Sequence, residues 1–391
     1  MAEPLVKGWC PGALRPMESG DGLIVRVRPR GGRLSQQEAA GIADLAAAHG
    51  NGLIDLTSRA NLQVRGVTEA TYRPLLAGLE SLGLTDATSE AEARRNIVVT
   101  PFWSGEDGTL RIAAALADAL SRPDAPEIPG KFGFAVDCGS SPVLSNVPAD
   151  IRIERSADGW LICRADGATG GLRVTEATAA DAAMALARWF IAFGGKEVGD
   201  EGGRGRMVAH LGHGARLPVG NSEVVAQPGA ASFPVPGAVP AGFLAGFQFG
   251  QIRAEALAAL AGLGALRVTP WRMLLIEDCC SAPDVPGLIT TSGDPMLRVV
   301  ACTGKPGCLQ ALQPTRELAR ALAPHVPDGA LLHVSGCAKG CAHPAAAAMT
   351  LTAVVEGFDF IRHGRPNGPP SRPGLTASSL RAHPAILTEA L

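Results

Sequence analysis

Cys302 and Cys308, in ACTGKPGC, and Cys337 and Cys341, in HVSGCAKGC, have the types and spacing that say most about chemistry in this chain. Thiolates are soft ligands suited to iron-sulfur clusters, and four of them are the usual complement of one 4Fe-4S centre. Zinc ribbons bring their ligands in pairs roughly two to four residues apart. Here a C-x5-C pair is joined through 28 residues to a C-x3-C pair, a spacing that suits a bulkier cluster. Gly304, Gly307, Gly336 and Gly340 lie among the thiols, where they let backbone N–H groups approach cluster sulfides. A structural zinc site, or unrelated buried cysteines, is the plainer reading of the same residues.

The elements that must position these thiols repeat along the chain. GLIVRVRP (22–29) alternates apolar and basic residues, as a strand with one wet face does. Ser35 and Glu38 form a capping box ahead of Ala39, Ile42, Leu45 and Ala46, and Gly50 supplies the stop. GLIDLTSR and NLQVRGV are two further strands converging on Arg59. The same order returns as a strand over 244–250, a helix over 252–264 and a strand pair over 265–278, with Thr57-Ser58-Arg59 set against Thr269-Pro270-Trp271-Arg272. Each copy leads into a larger α/β module, opened by RRNIVVTP in the first and MLRVVACTG in the second, so that Cys302 falls near the position of Thr100. KFGFAVDCG echoes LLHVSGCAKGC, but only the second carries the thiolates. Gly- and Pro-rich stretches at 199–206 and 226–242 read as the linker between halves, and 362–374 as a flexible surface tail.

The thiol spacing and its glycines resemble the cluster motif of the sulfite and nitrite reductase family. DLTSRANLQV resembles that family's Thr-x-Arg segment, RRNIVVTP its Arg-Asn segment and IPGKFGFAVD its Lys-Phe segment. The resemblance implies an α+β fold in which ferredoxin-like half-domains (1–90 and 236–295) pair across a pseudo-two-fold. Two α/β modules complete it, 91–235 on the substrate side and 296–391 carrying the cluster. It also implies that Arg59, Arg95 and Lys131 act catalytically and, with Asn96, contact the substrate. Where the reductases have Lys-Phe-Lys, this chain has Lys131-Phe132-Gly133; the lost charge weakens oxyanion binding and the glycine leaves room for something larger.

WCPGALRPMESGDGLIVRVRP, TPWRMLLI and the ACTG-x-PGC form of the motif resemble the precorrin-3B synthase branch of the superfamily. That branch implies a tetrapyrrole as substrate. Precorrin-3A is hydroxylated at meso carbon C20 with O2, and the ring A acetate closes a γ-lactone. It further implies a mononuclear non-haem iron beside the 4Fe-4S cluster and an external electron donor or reductase. Sirohaem belongs to the alternative reading, a sulfite or nitrite reductase; an electron-transfer or tetrapyrrole-carrier protein is the third.

Composition sets the bounds. At 391 residues the chain exceeds one ordinary core, and a net charge of -2 argues against a general nucleic-acid binder. Lysine occurs only at 7, 131, 196, 305 and 339, so arginine supplies nearly all the positive charge, suited to clamping a polycarboxylate. No apolar run has the length of a membrane span or a secretory signal, and nine cysteines, an odd number, point to a reducing cytoplasm. Cys10, Cys138, Cys163, Cys279 and Cys280 read as buried or idle thiols. His210 and His213 lie in a glycine-rich stretch without a carboxylate at facial-triad spacing and read as structural, and His333 and His343 flank the thiols. Asp137 ends a strand, where it either lines the cavity or caps a loop.

Overall fold

Local chemistry starts the first helix where the sequence signals it. Ser35 Oγ accepts from the Glu38 N–H at 3.2 Å and the Glu38 carboxylate accepts from the Ser35 N–H at 2.7 Å, a reciprocal cap worth about 1 kcal/mol. The helix Gln36–His49 then buries Ala39, Ile42, Ala43 and Ala46 and ends at Gly50. The computed structural model describes residues 10–198, 205–221 and 233–388.

The chain is α+β, and its two central sheets share one core. The first runs in the order Met17–Ser19, Gly22–Val27, Leu62–Val67, Leu53–Leu56, Gln251–Arg253. The second runs Gly237–Val239, Gly242–Phe247, Met273–Glu277, Leu266–Val268, Arg33–Leu34, with Leu288–Ile289 pairing Gly242–Phe247. Each sheet therefore takes its last strand from the other half of the chain: Gln251 pairs with Asp55, and Arg33 with Arg267. The exchanged strands carry Leu34 and Ile252 into the common core, 0% and 2% exposed. Burial of such side chains contributes roughly 1.5–3 kcal/mol each.

The outer sheets repeat one topology. Ile97–Val99, Phe134–Asp137 and Ile151–Arg155 are parallel, then Leu161–Ala165 and Leu172–Arg173 turn back antiparallel. Val299–Ala301, Leu332–Ser335 and Ala347–Val354 are likewise parallel, followed by antiparallel Gly357–Gly364 and Arg372–Leu375. Parallel neighbours need a crossover, supplied by the helices Thr109–Ser121 and Arg316–Leu322. The backbone equivalence reaches single bonds. Thr100 N–H donates to Val136 O at 3.0 Å and Cys302 N–H to Val334 O at 3.3 Å, which puts Cys302 on the Thr100 position.

Several local expectations are corrected. The arginine face of Gly22–Val27 is not wet: Arg26 is 8% exposed and Arg28, just beyond the strand, 5%, because Cys10–Leu14 folds across it. The second-copy strand covers Gly242–Phe247, and Gln251–Arg253 is strand before the helix Ala254–Ala261. Of the linker stretches, 199–204 and 226–232 lie outside the described residues, while Gly237–Val239 is a paired strand. The 362–374 segment joins two paired strands, and Thr352 Oγ1 donates to Pro366 O at 3.0 Å, so it is a pinned hairpin connection. Among the described residues no helix is long and apolar enough to cross a membrane.

Candidate functional site

Cys302 follows the strand Val299–Ala301, and Cys337 follows its parallel neighbour Leu332–Ser335 at the same end. Ligand sites of open parallel sheets form at such carboxyl ends. Leu312 N–H donates to Gly336 O at 2.8 Å, tying the two cysteine loops together, and Gly336 N–H donates to Cys302 Sγ at 3.1 Å. A Cβ on Gly336 would stand 3.2 Å from that sulfur, and Gly304 has φ +67° with Thr315 Oγ1 2.5 Å from where its Cβ would be. Burial raises the Cys302 thiol above its ordinary pKa against the Gly336 and Gly304 N–H groups, with Cys308 and Cys337 adding to the rise. Cys341 is raised by burial too, with Lys339 opposing and the other three cysteines reinforcing. The four sulfurs thus feel one another, yet among the described residues no three His, Cys, Asp or Glu side chains stand close enough for a single metal ion.

The first half of the chain holds these loops. Ser19 Oγ donates to Gly307 O at 2.8 Å, and Arg65 donates to the same oxygen at 3.3 Å while bound to Asp21 at 2.6 Å and Asp55 at 3.6 Å. Arg316 comes within 3.7 Å of Asp55, and its buried Nε has no hydrogen-bond partner among the described residues. Arg272, at φ +61°, donates to Ala342 O at 3.1 Å, next to Cys341. Burial lowers the pKa of both arginines, and Asp55 opposes that shift in each.

Strand alternation connects this network to a second cluster. Val25, Val27, Ile54, Leu62, Val64 and Ile252 enter the core, so Arg26, Gln63, Asp55 and Gln251 take the opposite face. Arg26 pairs with Gln63, Gln63 with Asp55 and Asp55 with Gln251, a single row across four strands. Arg26 and Asp55 are therefore two strand spacings apart, about 10 Å.

At the Arg26 end, Arg59 donates to Lys131 O at 3.0 Å, so the structure brings these two expected residues together. The pKa of Arg59 is lowered by burial, opposed by Cys10, with Arg206 and Arg26 also lowering it. Asp150 organises the far wall: its carboxylate accepts from Gly133 N–H at 2.9 Å, from Arg206 Nε at 2.8 Å and from Met207 N–H at 2.9 Å. Burial, then Arg26, depresses Arg28 to about 10. This concentration of cations beside one thiol can bind carboxylates and donate hydrogen bonds to a developing oxyanion.

Other expected residues fall elsewhere. Both ends of the Arg95 fork bind Asp86 at 2.8 Å, and Arg95 also donates to Arg28 O at 3.1 Å. Asn96 donates to Phe132 O at 2.9 Å. Gly133 does not open a cavity: a Cβ there would meet Asn96 Nδ2 at 2.6 Å, so the amide already fills that space. Asp137 caps a loop, accepting from Val143 and Leu144 N–H at 2.6 and 2.9 Å, and burial lifts its carboxyl to about 6 despite those bonds. His210 lies tilted against Trp189 and edge-on to Phe190, while His213 Nδ1 lies 2.7 Å from Ala209 O, so the pair shares no ligand geometry. His333 is fully buried with neither ring nitrogen hydrogen-bonded to any of the described residues, and its ring lies edge-on to His343. Cys138 and Cys163 are buried, which pushes both thiols up to about 12. Burial raises the Cys10 thiol, but the charges of Arg26, Arg59 and Arg28 outweigh it and hold its pKa below the ordinary value.

Arg26, Arg28, Arg206, Asp150 and Cys10 escaped the sequence reading. The Arg-x-Arg alternation was visible, but alternation alone does not distinguish a face toward water from one roofed by chain arriving from residues 10–14, 131 and 206.

Residues 15–82 match the family described as Nitrite/Sulfite reductase ferredoxin-like half domain. A precorrin-3B synthase of Sinorhizobium is 30% identical over 396 residues, 93% of this chain and 84% of that protein. The chain belongs to the precorrin-3B synthase family. Its likeness to reductases is more local: a ferredoxin–nitrite reductase of Synechococcus elongatus is 30% identical over 136 residues, covering 32% of this chain and 26% of that one. The sulfite reductase hemoprotein beta-component 2 of Klebsiella pneumoniae is 34% identical over 79 residues, 20% of this chain and 14% of the other. The solved structure of the Mycobacterium tuberculosis NirA protein shares the fold at TM-score 0.64 and 17% identity, covering 92% of this chain and 79% of its own. With these relatives the precorrin-3B synthase family member described here is an enzyme of the oxidoreductase class.

Proposed function

We propose that this enzyme converts precorrin-3A to precorrin-3B, placing one atom of O2 on meso carbon C20 as the ring A acetate closes a γ-lactone. The observation that carries the reading is the single row from Arg26 to Asp55, which sets a cation pocket and a four-cysteine site on one sheet face in a chain of this family. Cys302, Cys308, Cys337 and Cys341 would hold a 4Fe-4S cluster. The fit rests on soft thiol donors carried by two loops that the Leu312 N–H to Gly336 O bond ties together, and on the Gly336 N–H that already approaches Cys302 Sγ at 3.1 Å. When bound, the cluster supplies electrons one at a time.

The pocket residues do the rest. Arg26, Arg28, Arg59 and Arg206 clamp carboxylates of the macrocycle, and Lys131 is the proton donor to the oxygen-derived group. Arg95 and Asn96 act by position, through the Arg28 and Phe132 carbonyls. The second oxygen atom leaves as water with two protons and two electrons drawn from an external donor. No step is assigned to a mononuclear iron, because His210 and His213 do not fit one.

The test is incubation of anaerobically purified protein with precorrin-3A, a reductant and labelled O2, followed by product mass. One labelled oxygen in the tetrapyrrole is the expected result. Sirohaem bands in the isolated protein with rapid sulfite or nitrite reduction, and no oxygen in the tetrapyrrole, would replace this reading with the reductase one.

A further inference from the structure

Lys131, Phe132 and Gly133 are each held by a different part of the chain. Arg59 Nη2 donates to Lys131 O at 3.0 Å, Asn96 Nδ2 to Phe132 O at 2.9 Å and Gly133 N–H to Asp150 Oδ2 at 2.9 Å. Asp150 N–H returns a bond to Gly133 O at 2.7 Å. The other oxygen, Asp150 Oδ1, accepts from Arg206 Nε at 2.8 Å and from Met207 N–H at 2.9 Å, while Arg206 Nη2 donates to Ala149 O at 3.2 Å. Asp150 is 1% exposed, whereas 33% of the Arg206 side chain remains exposed. One buried carboxylate thus joins two segments far apart in sequence, each of which brings a cation to the pocket.

The duplication supplies the comparison. Ile151 N–H donates to Gly133 O at 3.2 Å in the first outer sheet and Met349 N–H to Leu331 O at 3.1 Å in the second, and Phe134 pairs with Ile151 as Leu332 does with Met349. Asp150 therefore stands where the second sheet has Ala348. The topology closes there with a methyl group, so the fold itself has no need of a carboxylate at this point. Burying one costs free energy unless it is paired and hydrogen-bonded. Of the two equivalent positions, the carboxylate occupies the one beside the cations.

We propose that Asp150 is a positioning residue that fixes Arg206 relative to Lys131, so that a ring carboxylate bound at Arg206 sets the reacting carbon against the proton donor. The proposal rests on the reading above that the ligand is a polycarboxylate tetrapyrrole and Lys131 the donor. Oδ2 sets the turn Lys131–Gly133, and Oδ1 sets Arg206 and the start of the helix Met207–Gly212. An amide here has one acceptor oxygen, and its NH2 group must confront either the Gly133 N–H or the Arg206 and Met207 donors. Asp150→Asn therefore releases one segment from the other, and a displacement of about 1 Å can cost about 100-fold in rate.

Two double-mutant cycles in the full-length protein provide the test. The first reads binding of uroporphyrin III, a polycarboxylate tetrapyrrole, from its fluorescence. Arg206→Gln and Asp150→Asn should each weaken binding by about tenfold, and the double variant by no more than about twofold beyond Arg206→Gln alone. The second reads turnover of precorrin-3A. Asp150→Asn should lower kcat by about 10- to 100-fold, and Lys131→Met added to it should cost far less than in the wild-type background. Iron content and circular dichroism should stay at wild-type values in Asp150→Asn and in Asp150→Ala, which installs the residue of the second sheet. Additive effects in either cycle, wild-type binding or turnover in Asp150→Asn, no binding of uroporphyrin III by the wild type, or unfolding of both Asp150 variants would each overturn the positioning role. Failure of the wild type to oxygenate precorrin-3A while the binding cycle held would instead overturn the proposed reaction.

Discussion

Asp55 and Arg267 occupy equivalent positions in the two halves of the chain and carry opposite charges. Each stands two residues before the threonine whose hydroxyl accepts the closing N–H of a tight turn, Thr57 from Asn61 and Thr269 from Met273, both at 3.2 Å. Their partners on the next strand are inverted with them: Asp55 pairs with Arg65 at 3.6 Å, and Arg267 with Glu277 at 2.7 Å. The same register sets Arg59 against Trp271, so the loop that offers a cation in one half offers an indole in the other. The inversion separates the duties of the two sheets. Asp55 gathers Arg65, Arg272 and Arg316 beside the cysteine loops, whereas Arg267 lies 3.5 Å over the Trp103 ring and binds Pro101 O at 2.8 Å.

Arg65 should stabilise the cysteine loop from outside it. Arg65→Met removes the bond to Gly307 O and leaves Asp21 and Asp55 short of a partner in a largely buried setting. A loss of about 2–4 kcal/mol is expected in denaturant unfolding. Iron should also leave faster in the presence of a chelator, measured by absorbance decay.

Replacing Cys302, Cys308, Cys337 or Cys341 with serine should remove most iron and acid-labile sulfide from the anaerobically reconstituted protein, since a serine oxygen is a poor substitute for a soft thiolate. Cys138→Ser and Cys163→Ser should retain both, because these thiols are buried in the other module. Normal iron and sulfide in two of the four variants would refute the assignment.

Arg59→Met and Lys131→Met should each lower kcat/KM for precorrin-3A by about 100-fold or more, the scale of losing one charged donor to a developing oxyanion. Iron content and circular dichroism should stay at wild-type values. Parallel loss of fold and activity would return both residues to a structural role.

Asp137 predicts an unusual pH dependence. Its carboxyl is lifted from 3.8 to about 6, so the native state favours the protonated form. That contribution is present below about pH 4 and lost as pH rises through about 6. Asp137→Asn keeps an acceptor for the Val143 and Leu144 N–H groups without the charge. It should be more stable than wild type at pH 8 by up to about 2–3 kcal/mol, with the gap closing toward pH 5. Urea midpoints at the two pH values provide the measurement.

The legible parts of this protein were those written in short-range patterns. The Ser35–Glu38 cap, the threonine turns and the thiol spacing each lie within a few residues, and the duplication shows itself by repeating them. The cation pocket was harder, because its members come from residues 10, 26, 28, 59, 131 and 206 and meet only after folding. Arg95 shows the reverse error. A cation in a recognisable segment looked free to meet a ligand until Asp86, nine residues earlier, occupied both ends of its fork. Gly133 failed for a related reason: the volume a missing side chain leaves belongs to whichever neighbour fills it, here Asn96.

The reciprocal exchange of Arg33–Leu34 and Gln251–Arg253 makes the two halves topologically interlocked, since neither can complete its own sheet. A polypeptide divided after Asn221 would yield fragments that each expose an unpaired edge and an apolar face when alone, yet form a complementary pair on mixing. Co-expressed fragments should assemble into a soluble one-to-one complex while either alone aggregates, the behaviour of two subunits that have come to share a single backbone.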